Sequence, residues 1–211
     1  MILRRTANAG VLLTLDGVTI LLDGVCRGQG PYLATPEAER NALYADPPMI
    51  VGFTHSHFDH FSRSFAQDLY QMTLRPILGP EGLLKEGLCK GPVTVDGVTV
   101  TPISSRHLGK AGLDTPHISF LIEGSRRILF AGDASPAFLK QVGRVDILIA
   151  PYPYVITPNG WRMAGEKCEK LVLVHMPEPG NDPDGLWAMV KAQELPGPGL
   201  YIPALGEQLE L

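Results

Sequence analysis

The chain has 211 residues, a formal net charge of −4, 45% apolar residues and 19% charged ones. That length fits one domain, 1–211, able to bury a two-layer core. The acidic balance, without a block of Lys or Arg, argues against nucleic acid as the main partner, since phosphate neutralisation needs a basic surface. No run approaches the roughly 18–20 apolar residues of a membrane helix.

Arg4-Arg5 precedes an apolar run, as in a secretory leader, but Asn8 and Asp16 interrupt it and no small-residue cleavage site follows. Alternation through Val11, Leu13, Leu15 and Val18, Ile20, Leu22 instead predicts a hairpin turning at Asp16-Gly17 and ending in Asp23. Thr35-Pro36-Glu37 predicts a helix start, with a capping hydroxyl, a first-turn proline and an early acid; the helix runs to about Tyr44. Residues Met49 to Phe53 read as a buried strand. It leads into His55-Ser56-His57-Phe58-Asp59-His60, which packs three of the six histidines and an aspartate into six residues. In an extended segment alternate residues share a face, so His55, His57 and Asp59 are expected to point the same way. His60 then opens a helix from Phe61 to Leu74, with Phe65, Leu69, Met72 and Leu74 at roughly helical spacing.

Ile77 to Pro80 predicts a short strand and Glu81 to Glu86 one or two helical turns. Val93 to Thr101 repeats the hairpin pattern around Asp96-Gly97, and its exit delivers His107 before a Gly-rich loop, Leu108 to Thr115. A third hairpin, His117 to Glu123 and Arg127 to Asp133, ends in an aspartate. Ser135-Pro136 caps a short helix to about Val142; Val145 to Ala150 is a strand feeding the Pro-broken loop Pro151 to Tyr154; a helical piece crosses 159–169. Leu171 to His175 is a strand ending in histidine, Asp182 to Gln193 a last helix, and Leu200 to Pro203 and Gln208 to Leu211 closing strands. The three cysteines, Cys26, Cys89 and Cys168, are odd in number and widely spaced, which suits reduced thiols in a cytosolic protein.

Set side by side, the strand exits are Asp23, then His55 to His60, His107, Asp133 and His175. A rigid sheet can aim such residues at one point. Imidazole with carboxylate suits zinc, iron or manganese. Without Asp23, five histidines and two aspartates exceed the needs of one tetrahedral ion; two ions about 3.5–4 Å apart sharing one carboxylate would use them all.

The run His55-Ser56-His57-Phe58-Asp59-His60, followed by His107, Gly132-Asp133 and His175, resembles the metallo-β-lactamase-fold hydrolase superfamily. The similarity spans nearly the whole chain: Asn8-Ala9-Gly10 through Leu22-Asp23 resembles its first motif and Ile128 to Asp133 its aspartate motif. The resemblance is greatest to its compact stand-alone, lactonase-like branch. It implies a single α+β domain, a four-layer αββα sandwich of two mixed or antiparallel sheets with the site at one edge. It also implies two divalent ions, zinc foremost with iron or manganese as substitutes. One ion is held by His55, His57 and His107, the other by Asp59, His60 and His175, with Asp133 bridging and Asp23 orienting a ligand from behind. The flavodiiron branch has glutamate where this chain has His57, which favours hydrolysis over reduction of oxygen or nitric oxide. The implied reaction is attack of an activated hydroxide on an ester, lactone or related small-molecule bond, with Asp59 also shuttling the proton.

His107 and His117 compete for the third-histidine role. His107 is preferred at its strand exit, while His117 opens an apolar strand and suits a supporting position. Tyr152 and Tyr154 could donate to a substrate oxyanion or pack as aromatics; Arg106 and Lys110 could meet an anionic substrate or be solvated charges. Rival readings are a phosphodiesterase or nuclease on the same fold, and a metal-binding interaction protein without turnover.

Overall fold

The computed structural model describes residues 1–109, 114–193 and 196–211. Part of the loop expected over 108–115, including Lys110, lies outside the described residues. Two seven-stranded sheets stack face to face. The first contains β1 (Ile2–Arg5), β2 (Val11–Leu15), β3 (Val18–Leu22), β4 (Ile50–Gly52), β5 (Ile77–Leu78), β6 (Leu88–Cys89) and β14 (Gln208–Glu210), in the order β14-β1-β2-β3-β4-β5-β6. The second contains β7 (Val93–Val95), β8 (Val98–Ser104), β9 (Ile118–Glu123), β10 (Arg127–Phe130), β11 (Val145–Pro151), β12 (Cys168–Val174) and β13 (Gly199–Tyr201), in the order β13-β12-β11-β10-β9-β8-β7.

The two-residue period of a strand builds the layers. Ile128 and Phe130 of β10, Ile147 and Ile149 of β11, and Val172 and Val174 of β12 meet Val11, Leu13 and Ile20 between the sheets. Their sequence neighbours Leu129, Leu148, Leu171 and Leu173 face outward under α3 (Pro153–Ile156), α4 (Pro158–Lys167) and α5 (Leu186–Lys191). On the other flank Leu21, Val51 and Phe53 pack beneath α1 (Glu37–Ala45) and α2 (Arg63–Thr73). This is the αββα sandwich expected from the sequence, with both sheets mixed. Each sheet has an antiparallel part, β14-β1-β2-β3 and β7-β8-β9-β10, and a parallel part, β3-β4-β5-β6 and β10-β11-β12-β13.

That pairing puts the chemistry on one edge. β3 runs parallel to β4, β10 to β11 and β11 to β12, while β8 is antiparallel to β9, which is antiparallel to β10. Within each sheet, therefore, the strands that deliver the candidate ligands end on the same side.

Several expectations are corrected. The segment 53–62 is neither strand nor helix: His60 and Phe61 each donate a backbone N–H to His57 O (3.0 and 2.9 Å), so a turn, not strand alternation, converges the histidines. The following helix starts at Arg63 and buries Phe65 and Leu69, while Met72 and Leu74 are 56% and 75% exposed past the end of its apolar face. Thr35 does not cap α1; its hydroxyl accepts from Cys26 N and donates to Gly24 O. Residues 81–86 form turns and bends, not a helix, and Gly82 and Gly87 take the left-handed φ values of 80° and 72° that break helical continuity. The Pro151 to Tyr154 loop contains the start of α3. The last helix begins at Leu186, after the left-handed Gly185, although the Asp182 carboxylate accepts from both Leu186 N and Trp187 N at 2.9 Å.

Candidate metal centre

Each strand exit turns abruptly. Asp23 after β3 and His175 after β12 adopt φ of 47° and 57°, costly for non-glycine residues and characteristic of functional sites. Gly132 after β10 has φ of 54°, and a Cβ there would lie 2.5 Å from Thr54 Cγ2. Cross-links then fix the loops to one another: Ile118 N donates to Thr54 O (3.0 Å), Leu108 N to Asp133 O (2.7 Å) and His175 N to Asn8 O (3.1 Å). The buried Arg5 guanidinium donates to the carbonyls of Ala7, Asn8, Met176 and Pro203, tying the β1–β2 turn to the segment after His175.

The candidate donors converge. His55, His57 and His107 form one group and Asp59, His60 and His175 another, each with its donor atoms within 4.8 Å of one another. Asp133 lies between them: Oδ1 is 3.4 Å from His60 Nε2, and Oδ2 is 3.6 Å from both His107 Nε2 and His175 Nε2. His175 Nε2 is 3.1 Å from Asp59 Oδ2.

The hydrogen bonds test whether this set fits metal ions. His55 Nδ1 contacts Thr54 Oγ1 (2.9 Å), His60 Nδ1 contacts Asp23 Oδ2 (2.8 Å) and His107 Nδ1 contacts Leu108 O (2.6 Å). The Nε2 atoms of all three, with Asp133 Oδ1, are buried and have no hydrogen-bond partner. Such orphans are costly unless something else occupies them, and imidazoles fixed through one nitrogen with the other bare are what a metal needs. The residues present therefore fit the expected pair of divalent ions. Electrostatics agree at two positions. Burial, then His60, push His55 well below its ordinary value, keeping it neutral. Burial opposes ionisation of Asp133, but His175 and His60 hold its carboxyl well below the usual range. Burial likewise opposes protonation of His60, yet Asp133 and Asp23 raise it well above normal, so a cation binding there competes with a proton.

Asp23 stands behind the ligands, accepting from Thr54 N (2.7 Å), Thr54 Oγ1 (2.6 Å) and His60 Nδ1. His117 has no nitrogen free: Nε2 accepts from Asp133 N (3.0 Å) and Nδ1 meets Ser105 Oγ (2.8 Å). It holds the Asp133 backbone while His107 faces the centre. Tyr152 lies 6.3 Å from His175, ring to ring, and burial with Asp133 raises its pKa, so the phenol stays protonated. Tyr154 is corrected to a core residue: it is fully buried and its hydroxyl donates to Ser135 O. Arg106 is exposed beside His107 and lines a groove of about 900 Å³ with Ser105, Thr115 and Pro116.

Three neighbours escaped the sequence reading. Asn8 donates from Nδ2 to Asp59 Oδ2 (3.2 Å) and is fully buried; its signals were its interruption of an apolar run and its place in the stretch that resembles the first motif, neither of which pointed to Asp59. Thr54 could have been suspected from its place beside His55. Tyr32 sets its ring edge on His175 at 4.4 Å, and nothing local marks it.

The chain has the metallo-β-lactamase fold. A metallo-β-lactamase-fold protein, YhfI of Bacillus subtilis, superposes with a TM-score of 0.62 at 18% identity, over 96% of this chain and 91% of that one. A possible metal-dependent hydrolase of Veillonella parvula gives 0.74 at 16% identity, and an isothiocyanate hydrolase from Delia radicum gut bacteria 0.69 at 17%; both alignments cover 100% of this chain and 99% of the other. In sequence, the chain is 28% identical over 153 residues to a UPF0173 protein of Pyrococcus furiosus, covering 68% of this chain and 66% of the relative. The match thus spans just under two thirds of that relative's length. No family model matches the chain.

Proposed function

We propose that the chain is a metal-dependent hydrolase that cleaves an ester, lactone or related bond in a small molecule. The observation that carries this reading is the set of buried, partnerless Nε2 atoms on His55, His60 and His107 gathered around the Asp133 carboxylate, whose Oδ1 faces His60 and Oδ2 faces His107. His55, His57 and His107 would hold one ion and Asp59, His60 and His175 the other, with Asp133 reaching both. Bound divalent ions supply Lewis acidity and bring water to a reactive pKa near neutrality. Asp59 would take the proton that the attacking water gives up. Asn8, donating to Asp59 Oδ2, holds that carboxylate in place. Tyr152, kept protonated, would donate to the developing oxyanion. The groove beside His107 is open enough for a small molecule, and Arg106 on its wall suits an anionic substituent. A possible metal-dependent hydrolase and an isothiocyanate hydrolase among the similar structures support hydrolysis. A net charge of −4 weighs against a nucleic-acid substrate.

The test is elemental analysis of the purified protein alongside turnover of esters, lactones and phosphodiesters. Two ions per chain, zinc foremost, and hydrolysis of a small ester or lactone are expected, and Asp133→Ala should lose both metal and activity. A fully active, metal-replete Asp133→Ala protein would overturn the bridging role. Two bound ions with no turnover across the panel would overturn the hydrolase reading in favour of a metal-binding interaction protein.

A further inference from the structure

We propose that Thr54 is a positioning residue: its hydroxyl fixes His55 in the tautomer that leaves Nε2 bare at the centre, and ties that ring to the carboxylate that holds His60. Thr54 is fully buried between β4 and the histidine run. Its Oγ1 lies 2.6 Å from Asp23 Oδ2 and 2.9 Å from His55 Nδ1.

A hydroxyl has one proton to give. A carboxylate accepts only, so that proton goes to Asp23, which also takes Thr54 N and His60 Nδ1. The lone pairs of Oγ1 are left facing His55, and the hydrogen bond is completed only if Nδ1 carries the ring proton. His55 Nε2 then presents a lone pair, and it is one of the buried atoms without a partner. The chain His55 Nδ1–H to Thr54 Oγ1–H to Asp23 Oδ2, met from the other side by His60 Nδ1–H, joins one residue from each donor group to a single anion. The rest of Thr54 holds the hub in place. Its carbonyl accepts from Ile118 N on the second sheet, and its methyl occupies the space beside Gly132 where a Cβ would clash.

Two substitutions separate hydroxyl from shape. Thr54→Ser keeps the hydrogen-bond chain and drops the methyl; Thr54→Val keeps the shape and drops the chain. In the metal-free protein, two-bond 1H–15N correlation of the imidazoles is expected to report Nδ1–H for His55 in wild type and in Thr54→Ser. In Thr54→Val it should report a shift toward Nε2–H. Zinc titration should show one of two sites weakened about 10–100-fold in Thr54→Val, and change within about threefold in Thr54→Ser. The titration rests on the dinuclear reading above; the tautomer measurement does not, so a protein that bound no zinc would sink that reading and still test this one. His55 found as Nε2–H in wild type overturns the proposal even if neither variant folds. So does a Thr54→Val protein with wild-type tautomer, or one that keeps zinc while Thr54→Ser loses it, which would make methyl packing the operative contact.

Discussion

A buried imidazole nitrogen without a hydrogen bond costs roughly 1–3 kcal/mol, and besides Nδ1 of His175 the centre holds such Nε2 atoms on His55, His60 and His107. Each of these three rings is oriented by a different acceptor: a hydroxyl, a carboxylate and a backbone carbonyl. Three separate devices aimed at one volume make accidental orphaning a poor account of them. Away from the centre, one buried thiol is satisfied by a backbone carbonyl. Cys168 is buried, its Sγ contacts Ala164 O at 3.2 Å, and burial pushes its thiol up to about 12. Its folded value lies above the unfolded 9.0, so the protonated thiol contributes fully below about pH 9 and loses that contribution as pH rises toward 12. Urea midpoints at pH 8 and pH 10.5 should therefore show wild type losing stability relative to Cys168→Ala. Equal losses in the two proteins would show the thiol titrating normally.

Among elements, the exit of β10 is the most constrained. Gly132 must take a φ of 54° while passing against Thr54, and the next residue is Asp133, whose N–H is held by His117. An alanine there meets both a strained backbone and the Thr54 side chain. Gly132→Ala is expected to cost about 1–3 kcal/mol or more in urea unfolding and to weaken zinc binding, because the turn that aims Asp133 must shift. Wild-type stability and affinity would show that the turn tolerates a side chain. The hairpins, by contrast, are set locally. Asp16-Gly17 and Asp96-Gly97 both turn with positive φ at each residue, as their sequences imply, and the strands they join pair in the expected register. The Asp16 carboxylate also accepts from Ser125 N and Oγ in the turn between β9 and β10, a link between the sheets that no local pattern announces.

At the scale of the molecule, the centre sits where two sheets present loops at one edge, and ions held there would cross-link them. Zinc at 100 times its dissociation constant should add about 2.7 kcal/mol of stability. For a chain of 211 residues that corresponds to a rise in Tm of roughly 5–10 °C, reversed by a chelator. A melting curve indifferent to zinc and chelator would contradict metal binding in the folded state. Among the described residues no helix is long and apolar enough to cross a membrane.

Most strands, the two Asp-Gly turns and the donor types were legible in the chain, because alternation, turn chemistry and scarce residues such as histidine are local signals; β1 and β6, short strands defined by their pairing partners, were not. The sequence marked Asp23, His55, His107, Asp133 and His175 as strand exits, and the sheet pairing brings these together. The tertiary structure alone decided how they converge. His117 and His107 are both histidines near strand ends, and only the fold gives one to the Asp133 backbone and leaves the other a bare nitrogen. Tyr154 reads like Tyr152 until packing buries it, and Asn8 and Tyr32 reach the centre from loops far away in sequence. A residue's type is written in the chain, whereas which hydrogen bonds are already taken depends on neighbours that only folding supplies.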